Sequence, residues 1–156
     1  SFVYRMIGDA SEAEDVAQDV FVRAYQGIRK PGFRRTTAEF STWLFQVARN
    51  AALDFLRHRK RHPTESLTAM DDGGASIAGA GRTAHEEAAA KETGDQIAAA
   101  IACLPEDQRA ALILAEYNNL SYAEIAETIG GSIKAVEARL YRAKRTLRRT
   151  LADLLP

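Results

Sequence analysis

The sequence predicts an all-α chain, two small helical domains joined by a flexible linker. Three observations carry that expectation. Apolar residues recur at 3–4 spacing in each long ordered stretch, and nothing alternates as a strand would. Ser or Thr paired with Glu three residues on, and turns containing Gly, punctuate those stretches. Between the two periodic halves, residues 63–94 lose the period. The boundaries that follow are 1–62, 63–94 and 95–156.

The opening SFVYRMIG reads as the end of a helix closed by Gly8, as though the first domain lacked its N-terminal part. Ser11 with Glu14 forms a capping box, so a helix is expected to start there. Ala13, Val16, Ala17, Val20, Phe21, Ala24, Tyr25 and Ile28 then keep helical spacing over four turns. Glu12, Asp15, Gln18 and Asp19 lead the opposite face. Acids in a first turn suit the helix dipole, and the same acids suit docking on a basic partner surface.

Lys30-Pro31-Gly32 ends that element. The loop GFRRTTAEFST carries Arg34, Arg35, several hydroxyls and two aromatics, Phe33 and Phe40. A third helix is expected to begin between Thr37 and Thr42, with Thr36 and Glu39 as a possible capping box. Trp43, Leu44, Val47, Ala48, Ala51, Phe55 and Leu56 form its apolar face, and it ends in Arg57, Arg59, Lys60 and Arg61. A cationic last turn favours a helix C-terminus. Basic charges from Arg49 to Arg61 beside an aromatic loop also suit a nucleic-acid backbone and unstacked bases. His58 and His62 are four apart, but cations surround them and no acid or thiol is near, which argues against zinc.

The segment after Pro63 is rich in Gly, Ala, Ser and Thr, and reads as a linker that lets two lobes sit apart on a large partner. Periodicity resumes at Asp95, with Ile97, Ala100, Ile101 and Leu104. Cys103 in AAAIACL reads as a small buried hydrophobe. Pro105, Glu106 and Asp107 open the next helix, which Ala110, Ala111, Ile113, Leu114 and Tyr117 continue and Asn118-Asn119 breaks.

SYAEIAETIGGSIKAVEARLYRAKRTLRR follows. Ser121 and Glu124 form a capping box, Gly130-Gly131 a turn, and Ser132 a new N-cap. Ile133, Val136, Leu140, Ala143 and Leu147 fall on one stripe of the second helix. Lys134, Ala138, Tyr141, Arg142, Arg145 and Arg149 fall on the other. From Lys134 to Arg149 there are seven Lys/Arg and one acid, Glu137. Two short helices about a Gly turn, the second cationic, define a helix-turn-helix whose second helix enters the major groove. The alternative is a solvated basic helix in an ordinary bundle.

The formal net charge of zero conceals this distribution. Residues 1–62 hold 11 basic and 7 acidic residues, 63–95 hold 2 and 7, and 96–156 hold 8 and 7. Two lobes with a basic excess and an acidic connector suit a polyanionic partner. A single cysteine excludes an internal disulfide framework and suits a reducing cytosol. No apolar run reaches the length of a membrane span. The sequence contains no phosphate-binding Gly loop, nucleophile elbow or Cys/His ligand set, so catalysis by this chain is not expected.

Three segments, taken together, resemble the extracytoplasmic-function class of bacterial RNA polymerase sigma factors: SEAEDVAQDVFVRAY, FSTWLFQVARNAALDFLRHRKR, and LPEDQRAALILAEYNNLSYAEIAETIGGSIKAVEARLYRAKRTL. The resemblance covers nearly everything outside the linker. It implies sigma region 2 in 1–62, a linker in 63–94 and sigma region 4 in 95–156. It implies a promoter-specificity subunit with no cofactor and no small-molecule substrate, cytoplasmic and not inserted in a membrane. Its implied partners are core RNA polymerase (the β′ clamp helices and β flap), promoter DNA and an anti-sigma factor.

By resemblance, Asp15, Gln18, Asp19 and Phe21 dock on the clamp helices. The Phe33–Thr42 loop, with Phe33, Arg34, Arg35 and Phe40, captures a flipped base of the −10 element, and Asn50 lines that pocket. Arg57, Arg59, Lys60 and Arg61 meet phosphates there. Tyr141 and Arg142 read bases of the −35 element, with Lys134, Ala138, Arg139 and Arg145 at bases or backbone. Gln46 and Val47 stand where housekeeping sigma factors carry a tryptophan pair that wedges the duplex, and Glu137 lies near the DNA face where many relatives are basic or small. A competing expectation is a stand-alone helix-turn-helix regulator whose first lobe senses a ligand or dimerises. A purely structural helical adaptor would leave the basic face without purpose.

Overall fold

Seven α-helices follow one another in the computed structural model, which describes residues 1–34, 37–63 and 83–154. No strand occurs among those residues. Helix α1 (Phe2–Ile7) buries Phe2, Val3, Met6 and Ile7, and ends at Gly8 in the left-handed region, φ 86°. Helix α2 (Ala10–Ile28) is capped by Asp9, whose side chain accepts from Glu12 N at 2.8 Å. The expected Ser11 cap is therefore corrected: extended backbone at Asp9 lets the helix start earlier, and Ser11 lies inside its first turn.

Of the apolar series on α2, Ala13, Val16, Val20 and Ala24 are buried, whereas Phe21, Tyr25 and Ile28 are exposed. Helix α3 (Thr37–Arg61) packs on α2 and buries Ala48, Ala51, Ala52, Leu53 and Leu56. Thr36, half of a possible capping box, lies outside the described residues.

Helix α4 (Ala84–Ala102) begins eleven residues before the resumption of apolar period at Asp95. Thr83 and Glu86 close a full capping box there, with Thr83 N donating to Glu86 Oε2 at 2.8 Å and Glu86 N to Thr83 Oγ1 at 3.3 Å. The stretch AHEEAAAKET is mostly Ala, Glu and Lys, strong helix formers, so 84–94 is helical rather than irregular. Its side chains are exposed, which is why no apolar stripe announces it. The rest of the expected linker, 64–82, lies outside the described residues.

Helix α5 (Glu106–Glu116) starts after Pro105 and buries Ala110 to Leu114. Helices α6 (Tyr122–Ile129) and α7 (Ile133–Thr150) follow, with a short 3-10 turn at Ala152–Leu154. Ile113, Leu114, Ile125 and Val136 are among the largest wholly buried side chains, so α5, α6 and α7 close on one another. Two expectations fail locally. Ile133 is 49% exposed, because the contact stripe of α7 begins one turn later at Val136. Cys103 is exposed, because Ala100, Ile101 and Leu104 take the inward positions at the end of α4 and Cys103 falls between them.

The two lobes are not separate. Met6 and Ile7 of α1 and Leu53 and Leu56 of α3 belong to one continuous core with Ile101, Leu104, Ala110 to Leu114 and Ile125. Helix α1 packs on α5 and α4, and α3 packs on α6.

Candidate nucleic-acid interface

The helix-turn-helix is built by its caps. Ser121 N donates to Glu124 Oε2 at 2.7 Å, and Glu124 N donates to Ser121 Oγ at 3.2 Å. Hydrogen bonds to the carboxylate from Ser121, first from its backbone N–H and then from its side chain, lower the Glu124 pKa from its ordinary value. Gly130 (φ 81°) and Gly131 (φ 104°) supply positive φ in succession, which other residues resist. Ser132 then accepts from Ala135 N at 3.2 Å and starts α7. Burial of Val136, Leu140 and Ala143 fixes the rotation of α7, so its cationic face turns outward.

On that face Lys134, Tyr141, Arg142 and Arg145 are exposed, and Ala138 is half-buried. Tyr141 is 66% exposed, an aromatic ring on the same face as these cations. Arg139 stands apart. Its guanidinium donates to Gly130 O at 3.2 Å and lies 3.8 Å from Asp107, bracing the turn against α5. Glu137 is exposed on the same helix.

A second concentration of groups lies where α2 meets α3. Phe33 and Trp43 rings are 5.0 Å apart, Phe40 and Trp43 5.6 Å, and Phe33 and Phe40 6.5 Å. Gly27 of α2 lies against this cluster: a Cβ there would stand 2.6 Å from Trp43 Cζ2. Beside the rings opens a groove of about 420 Å³, lined by Lys30, Phe33, Arg34, Glu39 and Trp43. A planar, partly apolar wall with cations at its rim is what an unstacked base requires. Trp43, Gly27 and Lys30 were not singled out from the sequence as site residues. The one signal for Trp43 was a lone tryptophan beside a basic loop, and helical spacing had assigned it to the core.

The other expected −10 residues are not gathered at this groove. Asn50 is exposed on α3 and not part of its lining; it lies two turns past Trp43 on the same face, about 10 Å along the axis. Arg57 pairs with Asp54 at 3.5 Å. Arg59 pairs with Glu12 at 2.9 Å and also donates to Ile7 O, and Lys60 pairs with Glu106 at 3.1 Å. Arg61 is exposed, and Arg35 lies outside the described residues.

On α2, Asp15, Gln18 and Asp19 are exposed, and Asp19 pairs with Arg23 at 2.7 Å. Beyond them Phe21 (68% exposed), Val22 (53%) and Tyr25 (60%) leave apolar surface in water. An acidic strip running into uncovered apolar side chains has the composition of a protein-docking face.

A helix-turn-helix with an open cationic face, joined to a helical lobe bearing an aromatic groove, defines a DNA-binding protein of the transcription machinery. The family comparisons give the class. Residues 1–62 match the model of Sigma-70 region 2, and residues 94–147 that of Sigma-70, region 4. The ECF RNA polymerase sigma factor SigW of Bacillus subtilis is 34% identical over 97% of this chain and 81% of its own. The RNA polymerase sigma-H factor of Pseudomonas aeruginosa is 34% identical over 98% and 80%. Among solved structures, the sigma factor RpoE of Bartonella quintana, in complex with the anti-sigma factor NepR, superposes with a TM-score of 0.66. It is 25% identical and covers 97% of this chain and 88% of that one.

The chain belongs to the ECF class of RNA polymerase sigma factors. Its partners are core RNA polymerase and promoter DNA, and it directs transcription initiation.

Proposed function

We propose that the two lobes divide promoter recognition by the physical state of the DNA. The α7 face reads the −35 element as duplex, with Tyr141 and Arg142 on base edges and Lys134, Ala138 and Arg145 along them. Arg139 contributes by fixing the turn. The α2–α3 groove takes an unstacked base of the −10 element against Phe33 and Trp43, which Phe40 backs, with Arg34 in its lining; Arg35, outside the described residues, is assigned to the same element. Asn50 and Arg57, Arg59, Lys60 and Arg61 follow the strand along α3 once the ion pairs holding three of them are released. The observation that carries this reading is the exposed aromatic-and-cation face of α7, on a helix capped at its start by Ser132.

Asp15, Gln18, Asp19 and Phe21 form the polymerase face, which the β′ clamp helices cover, while the second lobe meets the β flap. An anti-sigma factor competes for these surfaces; that the Bartonella quintana protein was solved in complex with the anti-sigma factor NepR supports such a partner. The chain works by binding alone, without a covalent step or cofactor of its own, in the bacterial cytoplasm. Capture of an extruded base favours the open duplex by the differential affinity of the groove for that state.

The test is binding of the holoenzyme to two partial promoters, a −35 duplex and a fork carrying single-stranded −10 bases. Arg142→Ala weakens the first only, and Phe33→Ala weakens the second only. Equal losses on both templates from either change would refute the division.

A further inference from the structure

Two side chains at the start of α7 have no part in the division of promoter recognition between the lobes. Ile133, the first residue of the helix, is an isoleucine left 49% exposed. Glu137, one turn on, is the one acid among seven Lys/Arg between Lys134 and Arg149. At four-residue spacing Ile133, Glu137, Tyr141 and Arg145 form a single exposed ridge. The ridge runs apolar, acidic, aromatic and cationic from the N-terminal end, the end at which a recognition helix meets base edges.

The fold accounts for neither residue. The first turn of α7 carries no acid and Glu137 lies beyond it, so the helix dipole does not explain its place. Three and four residues on stand Leu140 and Tyr141, and the one cation a turn away, Lys134, precedes the acid, which is the less favourable order. Glu106, Asp107 and Glu116 of the same lobe pair with Lys60, Arg49 and Lys144, whereas Glu137 forms no ion pair among the described residues. Phosphates repel a carboxylate, so an acid on this face weakens binding to every sequence unless a base donates to it. Ile133 gains nothing from water or phosphate and gains from apolar surface.

The major groove supplies a partner for each. Cytosine presents its N4 amino group as a donor alone, whereas adenine sets its N6 donor beside the N7 acceptor, which repels a carboxylate. Thymine presents a methyl group. Four residues of helix rise about 6 Å, roughly the height of two stacked base pairs. We propose that Glu137 and Ile133 are specificity residues of the −35 face: Glu137 accepts from the N4 amino group of a cytosine, and Ile133 packs on the methyl group of a thymine within about two base pairs of it. Glu137 selects by penalty as well as by contact. A guanine or thymine in the cytosine's place turns a carbonyl oxygen toward the carboxylate, and that repulsion rejects elements the cations alone would hold.

The inference rests on the reading of duplex by α7. Its test is selection of bound sequences from a duplex library randomised through the −35 element. The binder is holoenzyme made from core RNA polymerase and the full-length chain, as parent, Glu137→Gln, Glu137→Ala or Ile133→Ala. Both positions are exposed, so each variant is expected to melt near the parent temperature. The parent is expected to select a cytosine that Glu137→Ala relaxes about tenfold, within the range of one base contact. The same variant should bind elements lacking that cytosine more tightly than the parent does. Glu137→Gln, whose amide donates as well as accepts, relaxes the same position. Ile133→Ala relaxes a neighbouring thymine and keeps the cytosine preference. Tighter binding of Glu137→Ala to all sequences alike, with the selected element unchanged, makes the acid a phosphate repellent only and overturns the proposal, as does an unaltered profile. A parent holoenzyme that selects no duplex sequence overturns the reading of α7 itself, and this inference with it.

Discussion

At the scale of single residues, Arg142 and Arg145 differ from Arg109 and Arg139 in kind, although composition counts them alike. Arg142 is exposed on the reading face, and its value lies in what it meets on DNA. Arg142→Ala is expected to cost about 1–3 kcal/mol of promoter affinity and to relax discrimination at one −35 base pair. A competition series over all substitutions of that element checks it. Uniform loss at every base pair would make Arg142 a phosphate contact. Arg109 is consumed internally, and burial lowers its pKa, partly offset by Glu106 and reinforced by Arg59. Arg109→Met leaves the carbonyls of Met6, Ala102 and Leu104 without this donor, and should cost upward of about 1–3 kcal/mol in chemical denaturation. Glu124 provides the acid-range signature. Its folded pKa is lowered, so its stabilisation is present above the ordinary carboxylate range and is lost as pH falls through the folded value. Melting temperature should therefore fall less steeply with acid in Glu124→Gln than in the parent.

At the scale of elements, caps and burial carry separate information, and the sequence shows each to a different degree. In the helix-turn-helix they coincide: Ser121, Gly130-Gly131 and Ser132 mark the ends, and Val136, Leu140 and Ala143 mark the inner face. That unit was legible in full apart from Ile133. Ser121→Ala is expected to cost about 0.5–2 kcal/mol, read as a shift in the denaturation midpoint. In α4 the two signals part. Its first turns pack against little, so apolar spacing is silent there. Only the Thr83–Glu86 cap and the Ala/Glu/Lys composition mark the helix. Apolar periodicity reports burial, not helicity. The same distinction explains α2, whose long apolar series is half core and half uncovered surface at Phe21, Tyr25 and Ile28. Asp15→Arg with Asp19→Arg should weaken core polymerase binding and leave the melting temperature near its parent value. A large drop in melting temperature would assign these acids to the helix instead.

At the scale of the whole molecule, the order of the parts was legible and their mutual packing was not. Two halves with helical period, unequal charge and a break at Pro63 are local properties. The Arg109–Met6 hydrogen bond, the Arg5–Tyr117 stack and the Gln46–Glu127 contact join residues some 80 to more than 100 positions apart. No local pattern encodes them. The aromatic groove was half-read for a similar reason: Phe33 and Phe40 stood out in a loop, whereas Trp43 and Gly27 meet only through the packing of α3 on α2. The central claim is that this chain confers promoter choice on a polymerase that lacks it. Run-off transcription from a genomic fragment pool, with purified bacterial core RNA polymerase and the full-length chain, tests that claim most directly. The account predicts initiation at a discrete set of sites sharing a −35 and a −10 element, lost when the chain is withheld. Tight duplex binding by the chain alone, with no initiation in the presence of polymerase, would contradict it.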